Sequence, residues 1–73
     1  MKRPYRLRAL RRYYLKSSYH VLTPEGGPIA HVSQSHRGWE GQLLGGDAST
    51  HRVGPTRDAV CRELVRLWAA AVS

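Results

Sequence analysis

From Thr56 to its C-terminus the chain has no glycine and no proline, whereas residues 24–55 hold all seven glycines and three of the four prolines. The last segment is therefore free to form a long helix, and residues 24–55 are cut into strand-length pieces. Gly54-Pro55-Thr56 is a turn ending in a good helix N-cap, and Asp58 stands in the first turn, where the helix dipole favours an acid. A helix is predicted from about Pro55 or Thr56 to Val72. Val60, Leu64, Leu67, Trp68 and Ala71 recur at helical spacing, widened by Cys61, Val65 and Val72, and this stripe must face a core. Asp58, Arg62, Glu63 and Arg66 lie on the other side at pairing distances, which leaves that face near neutral and a poor grip for phosphate.

Upstream, Tyr13, Leu15, Ser17, Tyr19 and Val21 share one parity and Tyr14, Lys16, Ser18 and His20 the other, the pattern of a half-buried strand ending near Thr23. Pro24-Glu25-Gly26-Gly27-Pro28 is a turn, Ile29 to about Ser35 a second strand, His36-Arg37-Gly38 a tight turn, and Trp39 to Leu44 a third strand with Trp39, Gly41 and Leu43 on one face. His51-Arg52-Val53, after the loop 45–50, can add a short fourth pairing. The fold class that follows is α+β: a three-stranded, or four-stranded, antiparallel sheet packed on one C-terminal helix. Residues 1–16 would form a basic arm and residues 17–73 a single small domain, whose core rarely supplies more than about 3–5 kcal/mol.

Lys2, Arg3, Arg6, Arg8, Arg11, Arg12 and Lys16 fall in the first sixteen residues without an acid. The five later arginines equal the five acids in number, so the formal net charge of +7 belongs to that start. Its local structure is open: Leu7, Leu10 and Tyr14 suit a helix, while Tyr5, Leu7 and Ala9 alternate with Arg6 and Arg8 as in a strand. A separated block of this kind points to a polyanion. Lys and Arg release counterions from phosphates, and Tyr5, Tyr13 and Tyr14 could stack on bases. An acidic protein is the other partner such a block fits, through a compact patch of Trp39, Tyr14 and Leu22.

Other chemistry is thinly supplied. Cys61 is the only cysteine, which excludes an internal disulfide and suits an intracellular, cytoplasmic setting. The basic start lacks the apolar run of a signal peptide, and no stretch is long enough to span a bilayer. His20, His31, His36 and Cys61 are not at metal-ligand spacings, Cys61 lies on the core stripe, and phosphate loops and paired carboxylates are missing. No enzyme, metal or cofactor is expected. Trp68 reads as a core anchor. Trp39 is either a core residue or part of a surface at the hairpin tip.

Three strands, a tight hairpin and a C-terminal helix behind a basic start resemble the arm-type DNA-binding domains of tyrosine integrases and the plant ethylene-response-factor domains. The carriers are the strand order, Arg37-Gly38-Trp39 and Thr56-Arg57-Asp58-Ala59-Val60, over about residues 13–72. The resemblance implies a sheet set into the major groove. Were residues 5–16 helical, the order would resemble double-stranded-RNA-binding domains instead. The chain is also similar to short standalone proteins of actinobacteria and their phages in which a strand-hairpin core ends in a threonine-arginine helix start; that likeness implies no activity, and a small phage-type protein that binds and modulates an acidic host protein is the second function class. The expected function is binding of nucleic acid, DNA before RNA, with Arg3, Arg6, Arg8, Arg11, Arg12 and Lys16 on phosphates and His36 and Arg37 reaching a groove.

Overall fold

In the computed structural model, which describes residues 4–10 and 18–72, five strands and one helix follow one another in chain order. Strands β1 (Arg6–Ala9), β2 (Ser18–Leu22), β3 (Pro28–Ser35), β4 (Gly38–Leu43) and β5 (Arg52–Gly54) precede α1 (Arg57–Val72). The strands form one antiparallel meander in the order β1-β2-β3-β4-β5. The fold is thus α+β as expected, with five strands rather than three or four. Arg52–Gly54 is the short extra pairing, on β4. The fifth strand comes from the start of the basic segment: Arg6–Ala9 pair with β2 and are extended, not helical. The helix-first order of the double-stranded-RNA-binding domains is therefore not met over those residues.

The physical reason lies at Tyr5. Its ring is only 3% exposed within the core cluster, and its hydroxyl donates to Asp58 Oδ1 at the start of α1, 53 residues away. Leu7, next on the same side of the strand, packs against that core, while Arg6 and Arg8 point away from it. Burial of Tyr5 and Leu7 on a sheet edge outweighs the repulsion of two exposed guanidinium groups.

Register sorts the side chains. Leu7, Val21, Ala30 and Leu43 form one row across four strands, and Tyr19, Val32 and Gly41 continue the same face. Between β2 and β3 the register shifts: Val21 pairs with Ala30 and Leu22 with Pro28, so Ile29 is an extra residue. This bulge lets the consecutive residues Ile29 and Ala30 both enter the core. Helix α1 covers this face, lying on β3, β4 and β5 with Val60, Cys61 and Leu64 buried. Thr56 caps it, its Oγ1 accepting from the Ala59 amide at 3.1 Å. Trp68, Val65 and Leu67 pack at the rim of the core, whereas Ala71 and Val72, expected on the buried stripe, are exposed because the sheet reaches only as far as Trp68.

Gly41 is where the helix comes closest. A Cβ at this position would stand 2.6 Å from Val32 Cγ1, 2.7 Å from the His31 carbonyl oxygen and 2.8 Å from Leu64 Cδ1. Gly41→Ala should therefore destabilise the fold by about 1–3 kcal/mol, since the clash includes backbone and a fully buried leucine. Gly27→Ala, whose Cβ would meet only Thr23 Oγ1 at 3.5 Å, should change stability by no more than about 0.5 kcal/mol. Equal urea midpoints for the two variants would contradict this packing.

Candidate nucleic-acid interface

In an antiparallel meander alternate connections emerge from opposite ends of the sheet. The first and third share an end here. The β1 and β2 ends are joined by the Leu10 amide donating to the Ser18 carbonyl at 2.9 Å, and Ser35 pairs with Gly38 across a two-residue turn made of His36 and Arg37. Gly38 closes that turn at φ +123°, and the Arg37 amide donates to Ser35 Oγ at 3.3 Å. His36 and Arg37 are both exposed. Arg11, Arg12 and Lys16 lie outside the described residues, as does Arg3. In sequence Arg11, Arg12 and Lys16 fall between Leu10 and Ser18, and so connect two strand ends that stand beside the His36-Arg37 turn.

The other end carries two acids. The β2–β3 turn carries Glu25, and the β4–β5 connection carries Asp47, which caps the 3₁₀ turn Ala48–Thr50. Hydrogen bonds from the Ser49 hydroxyl, and then from its amide, hold the Asp47 carboxyl below its usual range. Arg6 belongs to this end, where Nη1 donates to the Pro24 carbonyl at 3.4 Å, and is thereby separated from the rest of the expected phosphate set. Arg8 is exposed in the middle of β1, directly opposite His20.

The helix arginines are engaged. Arg62 Nε bonds Asp58 Oδ2 at 2.7 Å, which raises the guanidinium above its ordinary range. Arg66 bonds Glu63 Oε2, and Arg52 Nε lies 3.8 Å from Glu63 Oε1. Among the described residues Arg6, Arg8, Arg37 and Arg57 form no ion pair with an acid. Arg57 is instead stacked: its Cζ lies 4.7 Å from the Tyr19 ring centroid and 5.8 Å from that of Trp39, the two rings being 6.1 Å apart. This contact was not legible in the sequence, because it joins β2, β4 and the helix start. The only signal was an arginine directly after the N-cap.

Trp39 is accordingly half-buried against the core, and Leu22 is buried. The patch of Trp39, Tyr14 and Leu22 is not exposed as a unit, and Tyr14 lies outside the described residues. Among the described residues no three His, Cys, Asp or Glu side chains gather to hold a metal ion, and no helix is long and apolar enough to cross a membrane. Comparison with known proteins gives no match, whether to a family model, a curated protein or a solved structure.

The face of the sheet turned away from α1 is polar. Its rows run Arg8, His20, His31, Gln42 and Ser18, Ser33, Glu40, Val53. The pairing of His20 with His31 needs the register of β2 on β3 and is not readable from the sequence. Gln34 is exposed and stands opposite Trp39, on the helix side. Arg57→Gln should lower stability by about 1 kcal/mol by removing the stacked guanidinium from two aromatic rings, measured as a fall in the urea midpoint. Retained stability in this variant would mean that the stack is incidental.

Proposed function

We propose that this protein binds nucleic acid, duplex DNA in preference to RNA, through the end of the sheet that carries the β1–β2 connection and the His36-Arg37 turn. One observation carries the reading: the meander brings the ends of β1 and β2 to the same end of the sheet as the His36-Arg37 turn, and Arg11, Arg12 and Lys16 stand between those strand ends in sequence, while Glu25 and Asp47 lie on connections at the opposite end. A charge distribution of this kind orients a polyanion before contact and raises its local concentration. Arg11, Arg12 and Lys16, together with Arg8, serve as phosphate ligands. Arg37 and His36, projecting on a tight turn with no acid partner, are the groups suited to a base edge in a groove. Binding needs no catalysis, cofactor or metal. The likeness to sheet-plus-helix DNA-binding domains supports the same reading, although the sheet here is wider.

The proposed contacts differ from those of a free basic tail. Arg6 is excluded from them, since it is turned toward the acidic end and shares Pro24 with that turn. Arg62 and Arg66 are excluded as well, because each already has a carboxylate partner on the helix. An acidic protein partner would be drawn to the same end by charge, and a phage-type modulator of a host protein is the second reading. It differs in salt response, because a protein partner has no condensed counterions to release.

With about five phosphate contacts, log affinity for a random-sequence duplex should fall with log salt at a slope of roughly −4.5. Replacing Arg11, Arg12 and Lys16 together by Ala should flatten the slope by about 3 units, at roughly 0.9 per contact, whereas replacing Arg62 and Arg66 by Ala should leave it unchanged. Fluorescence anisotropy with a labelled duplex at several salt concentrations decides this. Equal slopes for the two variants would refute the assignment of the interface to this end.

A further inference from the structure

On the face of the sheet not covered by α1, His20 and His31 are direct cross-strand partners, with ring centroids 6.1 Å apart and the rings edge-on. Arg8 stands directly across from His20 on the other side, and Gln42 across from His31. This row of four residues from four strands contains no acid. We propose that this face, along Arg8, His20 and His31, is a phosphate-binding surface of the interface proposed above, and that its charge is set by protons on the two imidazoles.

The inference rests on the nucleic-acid reading and adds a surface and a linkage to it. When both imidazoles are neutral the row presents one guanidinium. When both are protonated it presents three cations on adjacent strands, about 5 Å apart per strand, a spacing at which like charges repel directly. An anion laid along the row removes that repulsion, so bound phosphate favours the protonated imidazoles, and by linkage protons favour bound phosphate. Histidine is the side chain whose charge ordinarily changes between pH 5 and 8, so the coupling falls within an accessible range.

Arg6 lies on the same side of β1 as Arg8 and adds positive charge. Glu40 on β4 stands diagonal to His31, but its carboxylate is 3.9 Å from His51 Nε2 and both are shared with solvent. The β4–β5 connection reaches the edge of the face, where Gln42 Nε2 donates to the Gly46 carbonyl at 2.9 Å. Its acid, Asp47, is occupied by Ser49. His36 belongs to the turn, about 17 Å along β3 from His31 at 3.4 Å per residue.

The test is duplex binding by the full chain at pH 7.5 and pH 5.5, each over a range of salt, for the wild type and the double variant His20→Gln, His31→Gln. The wild type should bind more tightly at pH 5.5, with a salt slope steeper by about 1–2 units, one for each imidazolium that meets a phosphate. The double variant should lose most of the difference in salt slope between the two pH values. Because the variant could misfold, imidazole proton resonances of the wild type are followed in parallel. Those of His20 and His31 should titrate at higher pH in the presence of the duplex. Wild-type binding that is independent of pH, or a pH effect that survives in a folded double variant, overturns the inference and leaves the interface proposal standing. No binding at either pH overturns both.

Discussion

Leu64 rests almost on the backbone of β4, at Gly41, and the arrangement of the sheet around the helix depends on that contact. Without a side chain at Gly41, Leu64 and Val32 meet at the centre of the sheet, and all three of Val32, Val60 and Leu64 are essentially removed from water. Any side chain here would lift the helix from β3 and β4 together, because the obstruction includes the His31 carbonyl, which cannot move without breaking the ladder. A core of this size has little redundancy, so one close contact sets the height of the helix over the whole sheet. Tyr5 then depends on that height. Its hydroxyl reaches Asp58 only if the first helical turn lies where Leu64 puts it, and β1 is secured to the sheet by Tyr5 and Leu7.

The placement of charge follows from this packing. Once α1 occupies one face, the helix acids Asp58 and Glu63 are spent on Arg62, Arg66 and Arg52, and on Tyr5. Such exposed pairs contribute only a few tenths of a kcal/mol each to stability, but they remove these arginines from any electrostatic field felt by a distant ligand. Among the described residues, the arginines without an acid partner lie on β1, at the His36-Arg37 turn and, stacked on two rings, at Arg57. Topology thus concentrates charge without any local sequence motif: a meander turns separation in sequence into adjacency in space.

The helix, its cap and the three middle strands were legible because each is marked by local chemistry. Thr56 precedes a stretch free of Gly and Pro, and the period-two pattern of β3 and β4 is bounded by turn residues. Strand β1 was not legible, because Leu7, Leu10 and Tyr14 fit a helix as well as Leu7 and Ala9 fit a strand, and the deciding contact is with Asp58 far along the chain. The bulge at Ile29 was hidden for a related reason: two consecutive apolar residues break the alternation, and only the pairing of Val21 with Ala30 shows that both are accommodated. The candidate interface was half visible. Its residue types stood out, but not which of them the fold would separate. Arg6 and Arg8 are two residues apart in sequence, yet one faces an acidic turn and the other a histidine pair.

The edge position of β1 gives its arginines a second consequence. The strand has unpaired backbone groups along its outer side, the situation in which two copies of a protein can pair edge to edge. Antiparallel pairing of β1 with itself would set Arg6 and Arg8 against the same residues of the second copy on one face, and like charges directly opposite are destabilising in a sheet. The other edge, β5, is three residues long and is followed at once by Pro55, which offers no amide to a partner strand. Guanidinium groups on an edge strand therefore oppose edge pairing with the same positive charge that would draw phosphate in the proposed interface, and neutralising them changes both. A loss of affinity after removal of Arg8 can be assigned to phosphate contact only if the variant is shown to keep the oligomeric state of the wild type, because pairing through β1 would occupy the edge strand that carries Arg8.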